Sequence, residues 1–223
     1  MAAELDGPRL NPQSGAARQL VVFLHGYGAD GNDLIDIGRA WQQILPQAAF
    51  ASPHAPEPCG QAPVGRQWFP LTMRDPNERW TGVKKAAPVL ERFLDAELNR
   101  HKLPPSALAL VGFSQGTMMA LHVGLRRATA PAAIVGYSGL LVTPEREIEA
   151  FAAEVKSRPP VLLVHGDSDD LIPVQAVFQA AQGLSALGLS AEWHISPGVG
   201  HGIDAEGLRH GGEFLARSFA ASR

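Results

Sequence analysis

Ser114 stands between Gly112 and Gly116 in Gly112-Phe113-Ser114-Gln115-Gly116, a G-x-S-x-G pattern. An apolar run leads into it and helix formers follow it. The pattern is that of a nucleophile elbow, in which the serine sits in a strained turn between a strand and a helix. The glycines at minus two and plus two must be nearly free of side chain for the strand and helix to close on each other. In a chain with 23 glycines the five letters alone are weak evidence. The flanks strengthen them: Ala107 to Val111 has the length of a buried strand, and Thr117 to Leu125 is apolar nearly all round.

A serine hydroxyl is a poor nucleophile until a base takes its proton, and the base needs a carboxylate to hold its tautomer. Of eight histidines, His25 and His165 begin loops at strand ends and read as loop-shaping residues. His194 falls within a strand, His54 in a proline-rich loop, His101 at a helix end, His122 in a buried helix and His210 in the last helix. His201, between Gly200 and Gly202 after the final strand, is the expected base. Asp167, Asp169 and Asp170 all follow the strand Val161 to Val164, and any of them satisfies the chain order Ser…Asp…His. Spacing leaves the three near even, though Asp167 directly after Gly166 also suits a turn-capping role. An oxyanion formed at such a site needs two donors. The Gln115 N–H is one, and the Tyr27 N–H, in the glycine-rich loop after the His25 strand, is the best candidate for the other.

These residues must be positioned by alternating strands and helices. Strands are expected at Gln19 to Leu24, Ala48 to Ser52, Ala107 to Val111, Ala132 to Tyr137, Pro160 to Val164 and Ser190 to Ile195. Helices are expected at Asp33 to Gln43, Thr81 to His101, Thr117 to Leu125, Pro144 to Lys156, Val174 to Leu187 and Glu206 to Phe219, with Pro88 kinking its helix or delaying its start. Residues 1 to 18 read as irregular or as an edge hairpin. The alternation implies a mostly parallel sheet with helices on both faces, in one domain spanning residues 1–223. In such sheets reactive groups gather at the carboxyl ends of strands, where Ser114 and the Tyr27, Asp167–Asp170 and His201 loops all fall. From Pro53 to Trp80, prolines and the aromatics Trp68, Phe69 and Trp80 mark a long loop, read as a wall over the site.

Composition excludes several classes. With 45% hydrophobic and 18% charged residues and a net charge of −3, no basic excess points to nucleic acid or anionic lipid. One cysteine, Cys59, forms no internal disulfide, and its Pro-Cys-Gly setting is a poor one for a nucleophile. The acidic N-terminus does not read as a signal peptide, and no stretch approaches the roughly 18 apolar residues of a membrane span. A cytoplasmic protein without membrane insertion is the expectation. No compact ligand spacing suggests a metal.

Leu24-His25-Gly26-Tyr27-Gly28-Ala29, Gly112-Phe113-Ser114-Gln115-Gly116, His165-Gly166-Asp167-Ser168-Asp169 with Ile172-Pro173, and Gly200-His201-Gly202 together resemble the phospholipase/carboxylesterase family of α/β-hydrolases. The resemblance spans about residues 18 to 220. It implies the α/β-hydrolase fold, no cofactor, and hydrolysis of small-molecule esters, with thioesters and lysophospholipids as alternatives and homodimers common. It implies Ser114 as nucleophile, His201 as base and Asp169 as the orienting acid, and it supports Tyr27 and Gln115 as the oxyanion hole. Tyr27 stands where relatives often carry leucine. Trp68-Phe69 resembles the family's Trp-Phe/Tyr-Asp motif, with Pro70 in the place of the aspartate. Trp68, Phe69, Leu71, Met73 and Leu140-Leu141 are the expected substrate-pocket walls. A non-catalytic binding protein on the same fold would show a broken triad, and none of the three residues is missing.

Overall fold

A computed structural model describes residues 4–60, 62, 64–72, 75, 77–144 and 148–221. Its strands are β1 (Arg9–Leu10), β2 (Gln19–Leu24), β3 (Ala48–Ala51), β4 (Glu57–Pro58), β5 (Arg66–Gln67), β6 (Leu108–Phe113), β7 (Ala133–Tyr137), β8 (Val161–Gly166) and β9 (Ala191–Ser196). The helices are α1 (Asn32–Trp41), α2 (Glu78–His101), α3 (Gln115–Gly124), α4 (Ile148–Glu154), α5 (Gln175–Ala186) and α6 (Ala205–Ala221). Among the described residues, seven strands form one sheet in the order β1-β3-β2-β6-β7-β8-β9, parallel except for β1 against β3.

β2 shows why this is a sheet covered on both sides. All six of its residues are buried. Leu20, Val22 and Leu24 pack with α2, α3 and α5 on one face. Val21 and Phe23 pack with α1 and α6 on the other. A strand whose two faces both meet helices reads as a continuous apolar run rather than an alternating one. The strand order reverses between β2 and β6, so the loops leaving those two strands flank a topological switch point.

One expectation needed correction and two segments carry more structure than their sequence suggests. The N-terminal segment is irregular, as expected, apart from the two-residue β1, which pairs antiparallel with β3 across 40 positions of chain, Leu10 opposite Phe50. α2 starts at Glu78 and continues through Pro88, rather than beginning later. Its N-terminal half is held by core contacts of Val83, Ala86, Ala87 and Leu90, which outweigh the proline's missing N–H. The long loop after β3 contains a short antiparallel hairpin, with Glu57 opposite Gln67 and Pro58 opposite Arg66.

Candidate active site

The serine turn is strained as expected. Ser114 has φ 53° and ψ −113° and directly precedes α3. A non-glycine residue held there costs about 1–3 kcal/mol of backbone strain. The neighbouring glycines divide the work. A Cβ on Gly112 would strike the Gly116 carbonyl and the Thr117 nitrogen, so this glycine lets strand and helix close. A Cβ on Gly116 would strike the Leu24 carbonyl, so this one lets the helix pass the end of β2, a neighbour that local spacing could not reveal. Thr117 Oγ1 lies 2.9 Å from the carbonyl oxygens of both Gly112 and Tyr137 and ties the turn to β7.

His201 Nδ1 is 2.7 Å from Asp169 Oδ2. The carboxylate side chain is fully buried, and the imidazole keeps 17% of its side-chain surface exposed. Asp169 Oδ1 accepts the Leu171 and Ile172 N–H groups, each at 2.9 Å. Burial pushes the Asp169 carboxyl up, but the Ile172 N–H, His201 and Leu171 N–H bonds outweigh it and hold the group below the ordinary carboxylate value. An ionised carboxylate on Nδ1 keeps the proton there and leaves Nε2 with the lone pair. Of the three aspartates, Asp169 alone contacts His201 among the described residues. Asp167 has the loop-capping role instead: its Oδ1 accepts Gly198 N–H at 2.7 Å, tying the β8 loop to the β9 loop. His165 is likewise structural, with Nε2 donating to the Ile172 carbonyl at 2.8 Å.

Several contacts bring the His201 loop to the serine. Phe113, next to Ser114, places its ring centroid 5.0 Å from that of His201. Ser138 Oγ donates to the Gly202 carbonyl at 3.1 Å, and the adjacent Gly139 has room for no Cβ without pressing on the Ser114 carbonyl at 2.9 Å. A Cβ on Gly26 would approach the Ser114 Cβ to 3.4 Å, so the loop after β2 lies against the serine too.

That loop carries Tyr27. Among the described residues, neither the Tyr27 nor the Gln115 N–H donates to a backbone carbonyl. The flanking groups are fixed: Gly28 N–H donates to the Arg66 carbonyl at 2.9 Å, and Arg66 N–H donates to the Ala29 carbonyl at 2.7 Å. The β4–β5 hairpin therefore braces the loop from outside. The Tyr27 phenol meets Cys59, and that contact, with burial second, pushes it up to about 12. His25 Nε2 accepts the Ala55 N–H at 3.0 Å, which confirms its loop-shaping reading.

Trp68 and Phe69 are core residues that also hold the long loop in place. Each is 1% exposed, in the core. Trp68 Nε1 donates to the His25 carbonyl at 3.0 Å. Gln115 completes the anchor: its Oε1 accepts the Trp68 N–H at 2.9 Å, and its Nε2 donates to the Phe69 carbonyl at 2.8 Å. This use of the Gln115 side chain was invisible in the sequence, where only its backbone had a role. Leu71 is half-buried against the same core, and Met73 lies outside the described residues. Leu140 and Leu141 line a cavity of about 460 Å³ with Phe151, Ala176, Ala180 and Leu187.

A family model described as Phospholipase/Carboxylesterase matches residues 5–219. The chain belongs to this phospholipase/carboxylesterase family. It is accordingly a carboxylic ester hydrolase on the α/β-hydrolase fold. Within and around the family, the chain is similar to the solved structure of esterase PE8, at 45% identity and a TM-score of 0.91 over 96% of this chain and 99% of that one. It is 27% identical to acyl-protein thioesterase 1 of Gibberella zeae over 94% of each chain. It is 30% identical to a probable carboxylesterase of Oryza sativa subsp. japonica over 88% of this chain and 77% of the relative. No helix among the described residues is long and apolar enough to cross a membrane.

Proposed function

We propose that the protein hydrolyses short- to medium-chain carboxylic esters through an acyl-enzyme on Ser114. The observation that carries the reading is the 2.7 Å contact between buried Asp169 and His201, on loops that pack around the strained Ser114 turn. Ser114 Oγ attacks the ester carbonyl carbon while its proton passes to His201 Nε2. Asp169 stabilises the resulting imidazolium and holds its orientation. The negative charge moves to the carbonyl oxygen, where the Tyr27 and Gln115 N–H groups receive it. The tetrahedral species collapses, the ester C–O bond breaks, and His201 returns the proton to the departing alcohol. Water then repeats the sequence on the acyl-serine, releasing the carboxylic acid and restoring the hydroxyl. No cofactor enters any step.

Leu140 and Leu141 directly follow Gly139, which packs on the Ser114 carbonyl, and the cavity they line is mainly apolar. That supports an acyl-chain site of moderate length there. The acyl-protein thioesterase relative supports a second reading, in which the same residues cleave a thioester and the leaving group is a thiol.

The test is turnover of p-nitrophenyl acetate, butyrate and octanoate beside an acyl-CoA, with and without a serine-directed phosphonate followed by intact mass. Ester turnover abolished by one adduct on Ser114 supports the proposal. Faster cleavage of the acyl-CoA than of any ester moves the substrate class to thioesters. Folded protein that shows neither turnover nor adduct overturns the serine mechanism.

A further inference from the structure

His194 of β9 meets the first turns of α6. One ligand atom each from His194, Glu206 and His210 lies within 4.8 Å of the others. The two imidazole centroids are 4.2 Å apart, and His210 Nε2 is 3.7 Å from Glu206 Oε1. Glu206 and His210 are one helical turn apart on the same face, and His194 comes from the strand beneath. His194 Nε2 is buried and has no hydrogen-bond partner among the described residues. A buried imidazole nitrogen without a partner is costly, and a metal ion is one group that would satisfy it.

We propose that His194, Glu206 and His210 form a divalent transition-metal site, selective for zinc-like ions, that staples β9 to α6. Two imidazoles and one carboxylate are a donor set that zinc favours over magnesium or calcium, which prefer oxygen alone. In a tetrahedral site with bonds of about 2.0–2.2 Å, neighbouring ligand atoms are roughly 3.3–3.5 Å apart. Rotation of the exposed Glu206 and half-buried His210 side chains closes the gap. Water takes the fourth position. Arg209 is the obstacle, since its Nη2 lies 3.2 Å from His210 Nε2 and 3.6 Å from Glu206 Oε1. Its other nitrogen is held by Glu213 at 2.8 Å, so the guanidinium can leave the cluster without losing its ion pair.

The site closes a segment that matters. β9 and α6 bracket residues 197–204, which include His201. The base of this segment is already pinned by Ser196 Oγ donating to Asp204 Oδ1 at 2.7 Å. A metal across His194 and His210 adds a second pin one turn further out. Its expected effect is a stiffer, more stable loop base, separate from the ester chemistry itself.

The test uses metal-free protein titrated with Zn²⁺ by calorimetry and with Co²⁺ by visible absorption, on wild type, His210→Gln, Glu206→Gln, Arg209→Ala and His201→Gln. Expected are one equivalent bound, a tetrahedral Co²⁺ spectrum, and at least tenfold weaker binding in His210→Gln and Glu206→Gln. Arg209→Ala binds more tightly, because it removes a competing cation. At a hundredfold excess of Zn²⁺ over the dissociation constant the wild-type melting temperature rises by about 5–10 °C, and that of His210→Gln does not. Glu206 is exposed, so Glu206→Gln keeps the test valid if His210→Gln fails to fold. The proposal is overturned if the variants bind as wild type does, or if His201→Gln alone abolishes binding, which would place the ion at the ester site. Esterase activity of metal-free His210→Gln stays at the wild-type level, so failure here leaves the Ser114 mechanism intact.

Discussion

Gln115 holds Trp68 in place by its side-chain carbonyl while its amide nitrogen holds Phe69, so one residue beside the serine anchors the loop that follows the β4–β5 hairpin. All four atoms are buried. Gln115→Leu is nearly isosteric but leaves the Trp68 N–H and the Phe69 carbonyl unpaired, at about 1–3 kcal/mol each. The expected result is a variant about 2–4 kcal/mol less stable to urea, with its backbone N–H still at the head of α3. A variant as stable as wild type would mean that Trp68 and Phe69 hold the loop by packing alone.

Asp169→Asn tests the histidine's orientation. The amide no longer stabilises an imidazolium and can force the wrong tautomer, so kcat for a p-nitrophenyl ester should fall about 10⁴-fold. Ser114→Ala should fall as far or further. Asp167→Asn keeps an acceptor for Gly198 N–H and should retain most activity. If Asp167→Asn proves the more damaging of the two aspartate changes, the roles given to them are reversed.

The strain at Ser114 makes a separate stability prediction. Ser114→Gly removes the Cβ from a position with φ 53°. The inactive variant should be about 1 kcal/mol more stable, raising the melting temperature by roughly 2–4 °C for a chain of this size. A lower melting temperature would show that the turn is unstrained or that the serine hydroxyl contributes to folding.

His122 sets an acid limit on stability. Burial, with Arg126 and Lys84 nearby, lowers its pKa from 6.5 to about 3. Its ring faces Trp80 edge-on, and its Nδ1 has no hydrogen-bond partner among the described residues. The unfolded chain therefore takes up this proton first, and stability falls as pH drops from about 6.5 towards 3. The loss reaches about 2 kcal/mol by pH 5. His122→Leu should match wild type at pH 8 and lose clearly less stability between pH 6.5 and 4.5 in urea titrations. Parallel curves for the two proteins would place the acid sensitivity elsewhere.

The sequence by itself determined the longer parallel strands, their alternation with helices, and the candidate serine, aspartates and histidine at strand ends. These are local properties. Apolar runs such as Gln19 to Leu24 bury both faces, and Gly112 and Gly116 clear a turn around Ser114. Choosing Asp169 over Asp167 and Asp170 needed the family resemblance, because three aspartates on one loop differ only in where the loop points them. The tertiary structure then separated them: Asp169 turns inward to His201, and Asp167 turns across to Gly198. It also decided what spacing could not reach. Trp68 and Phe69 are far from Ser114 in sequence, and they meet the Gln115 side chain only in the folded chain. β1 finds its partner β3 only when the chain folds back. His194 and His210 meet because β9 and α6 pack side by side. Such pairings are set by the packing of distant elements, which no window along the chain contains.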